Sequence, residues 1–360
     1  LRRLTAALLA AVLALSIALP VFASDDGDTI YINSVSDLLS LARSCAYDQW
    51  SVGKTVILQK DLSLEGMLWE PIPSFSGQFK GNGHTISDLT ITGQYSPAGL
   101  FGIVEEQGSI ESLSVRGVVS VSDSADTTTG GIVGVNHGTL INCQFTGVVT
   151  GDSEVGGIVG RNESEGTIDH GTARAIVTGK SSTGGIAGYN LGAITGCTNV
   201  GSINTEYPEA SLDTDGFTAK MVDYINNKMA AADNDATNSV TNVATDTGGI
   251  AGRSSGMILT SVNTGTIGYE HVGYNVGGIV GRTDGLVSGC VNQGRVLGRK
   301  DVGGIAGQAE PYRELDLSKD TIKRLRSELE VLRGLVDDTT GVVENSTTSI
   351  SNSFGAMTSQ

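Results

Sequence analysis

The sequence predicts an all-β fold, a parallel β-helix solenoid, on three observations. The segment Gly-Gly-Ile-(Val or Ala)-Gly recurs with its last glycine at Gly134, Gly160, Gly188, Gly252, Gly281 and Gly307, and Ala98-Gly99-Leu100-Phe101-Gly102 opens the series as a variant. Between copies a second pattern aligns Ile110, Leu140, Ile168, Ile194, Ile258 and Val287 in one column and Val119, Val149, Val177, Ile203, Ile267 and Val296 in another, both apolar throughout. The chain also carries 50 glycines and few aromatics while Ile, Val and Thr recur, a composition that favours short strands joined by tight turns.

Most successive copies lie about 24 to 30 residues apart, the kind of fixed period in which each unit buries its apolar positions only by stacking on its neighbours. Helical repeats of similar period fail here, because each unit is punctuated by several glycines, each costing about 1 kcal/mol in a helix interior. With one circuit per repeat, each turn rises by one strand spacing of about 4.8 Å and equivalent residues become ladders. The Ile and Val columns are then the dry interior. The Gly-Gly pair is expected at a corner whose backbone angles a side chain would forbid.

The remaining elements follow in chain order. Arg2 and Arg3 precede an apolar run from Ala6 to Leu19, then Pro20 and Val21-Phe22-Ala23, which predicts a cleaved signal peptide over 1–23 and a secreted or cell-surface location. Residues 24–80 are expected to form an N-terminal cap and the first strands. Within them Leu38, Leu39 and Leu41 mark a helix from Val35 to Cys45, with Ser34 or Ser36 as its N-cap. The repeats run over 81–308. They are interrupted at 206–244, where Met221, Ile225 and Met229 make one apolar stripe within a helix-like run from Phe217 to Ala232. Over 309–360 the pattern turns helical: Ile322, Leu329, Val336, Val343, Ile350 and Met357 fall seven apart, with Leu325 and Leu332 between them. Helix pairing through Ile322, Leu325, Leu329, Leu332 and Val336 is therefore an expectation. No terminating signal precedes Gln360, which predicts a longer chain.

The formal net charge of −16 argues against nucleic acid as a partner, since phosphate binding needs clustered Lys and Arg. Four cysteines in an exported chain invite disulfides. The register argues otherwise: Cys143, Cys197 and Cys290 share a column with Leu113, Gly171 and Ser261, two circuits apart from one another, so their α-carbons stand about 10 Å apart. A disulfide needs less than about 7 Å. Free thiols serving as small apolar side chains are expected, with Cys45 separate in the cap.

Trp69-Glu70-Pro71-Ile72-Pro73, then Phe75-Ser76-Gly77-Gln78-Phe79-Lys80-Gly81-Asn82-Gly83-His84-Thr85-Ile86, then Gly99-Leu100-Phe101-Gly102 and the recurring cassette resemble the GLUG-motif repeat proteins of bacterial surfaces. The resemblance covers residues 30 to 308. It implies a right-handed, pectate-lyase-like β-helix within a large cell-envelope or secreted protein, and it places His84 at a coil turn. The same repeats precede the catalytic domain in immunoglobulin-A-specific metallopeptidases.

That peptidase chemistry needs His-Glu-x-x-His. The histidines are His84, His137, His170 and His271, none followed by Glu, so such a site would lie beyond Gln360. Polysaccharide cleavage needs clustered acids or calcium-binding acids with a nearby Arg. Asp25, Asp26 and Asp28, and Asp213 and Asp215, are acid groups that do not recur as a ladder. His84 reads as a lone structural histidine, and Trp50 and Trp69 as packing for the cap. No catalytic, cofactor-binding or metal residue is assigned. The reading is a non-enzymatic structural or adhesive module displaying a surface to host or neighbouring-cell glycans or proteins. Two alternatives stay open: the non-catalytic front of a secreted metallopeptidase, and a carbohydrate-active β-helix enzyme, favoured if acids converge within about 10 Å on one face.

Overall fold

The computed structural model describes residues 28–47, 49–121, 127–205 and 244–310. They wind into a parallel β-solenoid of about 8 turns with four walls. One circuit shows the plan: Thr139–Ile141 on wall 1, Gln144–Thr150 on wall 2, Ser153–Gly156 on wall 3 and Val159–Asn162 on wall 4. Each strand pairs in parallel with its counterparts one turn before and after, so Thr139 lies between Ser109 and Thr167. Among the described residues walls 1 and 2 carry nine strands each, wall 4 eight and wall 3 six. Wall 3 begins late because its place in an earlier turn is a single bridge between Ala98 and Thr129.

The apolar columns line the interior. Ile110, Leu140, Ile168, Ile194 and Ile258 stack on wall 1, and Val119, Val149, Val177, Ile203 and Ile267 on wall 2, each with no exposed surface. Near the first turns the filling is aromatic, with the Phe75, Phe79 and Phe101 ring centroids 5.4 to 6.3 Å apart. In the last described turn Ile305 is 42% exposed, against 0% for its counterparts Ile132, Ile158, Ile186, Ile250 and Ile279, because stacking from both sides is what buries this position.

Helix α1 (Val35–Ser44) forms where the leucine pattern predicts it. Ser34 is its N-cap: the hydroxyl accepts from the Asp37 N–H at 3.2 Å, while the Asp37 carboxylate accepts from the Asn33 N–H at 2.9 Å, satisfying two donors at the helix start. The bond from Asn33, followed by that from Ser34, holds Asp37 below the usual carboxylate range. Leu38 and Leu41 bury against the first interior residues.

The glycine pairs behave differently from expectation. None of Gly130-Gly131, Gly156-Gly157, Gly184-Gly185, Gly248-Gly249 or Gly277-Gly278 has positive φ. Left-handed backbone falls on other residues, notably Ser112 (φ 50), Asn142 (φ 52), His170 (φ 53) and Thr260 (φ 47) at one corner. The pairs are glycine for want of room: a Cβ on Gly157, Gly185, Gly249 or Gly278 would sit against the carbonyl oxygen of the equivalent glycine one turn on.

Two interior columns change character along the axis. On wall 2, Leu62, Ile86, Val115, Phe145 and Ala173 give way to Asn199, Asn263 and Asn292. On wall 4, Phe75 and Val104 give way to Asn136, Asn162 and Asn190, then Ser254 and Thr283. Each amide donates to the next: Asn136 Nδ2 to Asn162 Oδ1 and Asn162 Nδ2 to Asn190 Oδ1, both at 2.8 Å, and Asn199 Nδ2 to Asn263 Oδ1 at 2.7 Å. Buried amides are tolerable only when bonded in this way.

Segment 1–23, the insertion over 206–244 except buried Ala244, and the heptad segment with Ile322, Leu325, Leu329, Leu332 and Val336 lie outside the described residues. The coil resumes in register across the insertion, Thr245–Gly248 stacking on Ser181–Gly184.

Candidate functional site: the outer walls of the solenoid

With the interior filled by side chains, chemistry that meets a ligand belongs to the outward positions. A hollow lined by Thr247, Tyr269, Val272 and Val276 among others has room for about one water molecule.

On wall 4 the outward column runs Ile103, Val135, Arg161, Tyr189, Arg253, Arg282, Gln308. The Arg161 and Arg253 guanidinium groups sit 4.9 and 5.1 Å from the Tyr189 ring centroid, from the turns before and after it. Such stacks contribute about 0.5–1 kcal/mol each at exposed sites. Arg161 also pairs with Glu154 and Glu163, each at 2.6 Å, and Arg282 pairs with Glu310. The convergence of two carboxylates that sugar hydrolysis would need is thus met, by Glu154 and Glu163. Their chemistry is occupied, however: Glu154 Oε1 takes Arg161 and its Oε2 takes the Thr128 hydroxyl at 3.0 Å, while Glu163 is tied to the same guanidinium. Burial works against the Arg161 charge, but Glu163 and Glu154 outweigh it and raise its affinity for its proton. The arrangement is a closed ion-pair network.

His84 is not alone, as the sequence reading had it. Its Nδ1 lies 3.2 Å from Asp61 Oδ1, brought up from the preceding turn. The Thr85 N–H bonds the same oxygen at 2.9 Å and, with His84, holds Asp61 below the usual carboxylate range. At the coil turn Asp61 is exposed and His84 half-buried. His170 and His271 likewise stand beside their neighbours Asp169 and Glu270. Trp69 is buried in the core, its Nε1 donating to the Leu100 carbonyl at 3.2 Å. Trp50 is half-buried beneath Lys54, whose Nζ is 5.4 Å from the ring centroid. Asp28 pairs with Lys54 at 3.7 Å, whereas Asp25, Asp26, Asp213 and Asp215 lie outside the described residues. Among the described residues no three His, Cys, Asp or Glu side chains gather as a metal site would require.

All four cysteines are free thiols. Cys143 and Cys197 are separated by the turn of Gly171, whose N–H donates to Cys197 Sγ at 3.3 Å. Burial pushes both thiols up to about 12, and Cys45 to about 11. Unfolded, these groups titrate near pH 9. Their folded values are raised, so their contribution to stability is present in full below about pH 9 and is lost as pH climbs towards about 12. Titration of the native protein with a chromogenic disulfide reagent at neutral pH should modify half-buried Cys290 first and leave Cys45, Cys143 and Cys197 until unfolding. Four thiols reacting together in the native state would contradict the packing.

The amide columns escaped the sequence reading. Their signal was present as Asn-x-Gly at 136–138, 190–192, 199–201, 263–265 and 292–294, where the side chain bridges the next turn and also bonds a nearby backbone group.

No family model matches the chain. Halomucin of Haloquadratum walsbyi is 31% identical over 155 residues, which is 39% of this chain and 2% of that protein. A candidate Gly-rich membrane protein of Evansella cellulosilytica is 29% identical over 137 residues, 28% of this chain and 16% of that protein. Among solved structures, a candidate immunoglobulin A1 protease from Bacteroides ovatus is similar at a TM-score of 0.47 and 17% identity, over 80% of this chain and 85% of that one. The chain is a β-solenoid repeat protein that spans only a small part of the length of the sequence relatives it matches.

Proposed function

We propose that the chain is an exported, non-enzymatic surface module of the GLUG-repeat kind, whose solenoid presents its outer walls to ligands. The observation that carries this reading is the division of labour between inside and outside. The inward columns are filled by apolar side chains, bonded amides and small hydroxyls, and Arg161 and Arg282 of wall 4 are closed by carboxylates. What is left for recognition is extended, regular and flat, which suits display better than catalysis, since a catalytic pocket is concave. A fold of this kind does not by itself specify a ligand. The resemblance of the cassette, the segment over 1–23 and relatives named for a mucin and for a membrane protein support export to the cell surface.

The test is to express the full chain with an epitope inserted between residues 122 and 126 and to label intact cells. The expected result is labelling without permeabilisation, together with loss of residues 1–23 from the mature N-terminus. Label that appears only after permeabilisation would remove the surface reading.

A further inference from the structure

The outward face of wall 2 differs in charge from the rest of the protein. The chain as a whole has 39 acidic and 23 basic residues. After Asp88 in the strand Thr85–Gly93, the outward positions of the wall 2 strands from Ser114 onward hold no carboxylate, yet they carry Arg116 and Arg174, and Arg295 follows the last strand, all three exposed. Among the described residues none of the three makes a close ion pair, in contrast to Arg161 and Arg282 on wall 4, although Asp61 attracts Arg116 at longer range. Wall 2 also has the longest strands, Ser114–Val121, Gln144–Thr150 and Thr172–Thr178, and so the widest flat surface.

The outward positions of these three strands form four parallel columns. Arg116, Thr146 and Arg174 make one, with Val118, Val148 and Ile176 beside it and Ser120, Thr150 and Thr178 beyond; a polar column from Ser114 flanks the arginines. Val118 and Val148 lie low, at 8% and 6% exposure, although neither belongs to the interior cluster. The accessible surface is therefore a cationic edge and a hydroxyl edge, with Ile176 the half-exposed apolar side chain of the column between them.

We propose that this face of wall 2 binds an anionic polysaccharide lying along the solenoid axis, its acid groups on the Arg116–Arg174 column and its hydroxyls toward the Ser120, Thr150 and Thr178 column. Charge complementarity selects an anion, since these are exposed cations with no close ion pair on an acidic molecule. The spacing selects a sugar polymer. Arg116 and Arg174 are two turns apart, about 10 Å, whereas side chains on one face of an extended peptide recur every ~7 Å. One carboxylate or sulfate per disaccharide of an extended chain recurs close to the two-turn spacing. A sugar polymer also offers hydroxyls to the Ser120, Thr150 and Thr178 column that runs beside the arginines. The proposal rests on the display reading above by naming the class of ligand displayed to.

The test is binding of the purified full chain to fluorescently labelled hyaluronan and chondroitin sulfate, with neutral dextran, polyglutamate and anionic phosphatidylglycerol vesicles alongside. The expected result is salt-sensitive binding to one or both acidic polysaccharides. It should weaken by about tenfold or more when Arg116→Gln and Arg174→Gln are combined, the scale for losing a charge-assisted hydrogen bond, and be unchanged by Arg253→Gln on wall 4. All three positions are outward, and thermal melts of each variant check that the coil is intact. The proposal is overturned if native protein ignores both acidic polysaccharides at low salt, if polyglutamate or the vesicles bind as tightly, or if Arg253→Gln costs as much as the double change. Because this assay uses protein in solution, its failure is separate from a failure of cell-surface labelling.

Discussion

Gly249→Ala is expected to lower the melting temperature of the protein by about 6 °C or more, whereas Gly304→Ala should leave it within about 1 °C of the parent. Both glycines occupy the second place of the same cassette, so intrinsic backbone preferences cancel in the comparison. They differ in what lies one turn further on. A Cβ on Gly249 would press on the Gly278 carbonyl oxygen and the Asn263 side chain, neither of which can retreat, because the first belongs to the next turn's backbone and the second to the amide column. A Cβ on Gly304 meets nothing within 4 Å. Overpacking of this kind costs typically about 1–3 kcal/mol, more where backbone must move. Circular dichroism melts of the two variants measure the difference. Equal melting temperatures would mean that the glycine column is kept for conformational freedom after all, and that the close approach of turns is incidental.

Asn162→Asp should be the more damaging of two changes at the centre of the wall 4 amide column, and its damage should depend on pH. Asn162 Nδ2 donates to Asn190 Oδ1 and to the Gly166 carbonyl, and its Oδ1 accepts from Asn136. Asn162→Leu strands those buried partners, at about 1–3 kcal/mol for each group left unsatisfied. Asn162→Asp at neutral pH instead sets a buried carboxylate against the Asn190 and Gly166 oxygens, for a loss of about 3–5 kcal/mol. Below its pKa the new carboxyl regains an O–H to donate to Asn190. Burial and the facing oxygens raise its folded pKa above the unfolded value of about 3.9. The protonated form's stability is therefore present in full below about pH 4 and is lost as pH rises through the raised folded value. Denaturant midpoints of the variant, taken relative to Asn162→Leu at each pH, should fall as pH rises from about 4 to 7. A gap that is flat with pH would show that the side chain is not confined within the column.

The sequence by itself determined the repeat, the length of each turn and the membership of the apolar columns. Ile110, Leu140, Ile168, Ile194 and Ile258 are alike because each must be dry, and that requirement can be seen one residue at a time. The free state of the cysteines was legible for the same reason: turns at a fixed rise keep residues two turns apart beyond disulfide reach. Ser34 and the leucines of α1 were legible because capping and amphipathic spacing are local.

The tertiary structure alone decided whatever depends on two turns being brought together. Asn199 bonds Asn263 across an insertion that separates them by 64 positions, and nothing in either local segment names the other as its partner. Asp61 comes to His84 from one turn earlier, and Glu154 and Glu163 meet on Arg161. The role of the glycine pairs was misread for this reason, since a single strand reveals backbone freedom but not the carbonyl lying above it. The carboxylate-free stretch of wall 2 after Asp88 appears only once alternation has sent Arg116 and Arg174 outward beside exposed Arg295. A shift of one residue in register would have turned the first two into the core.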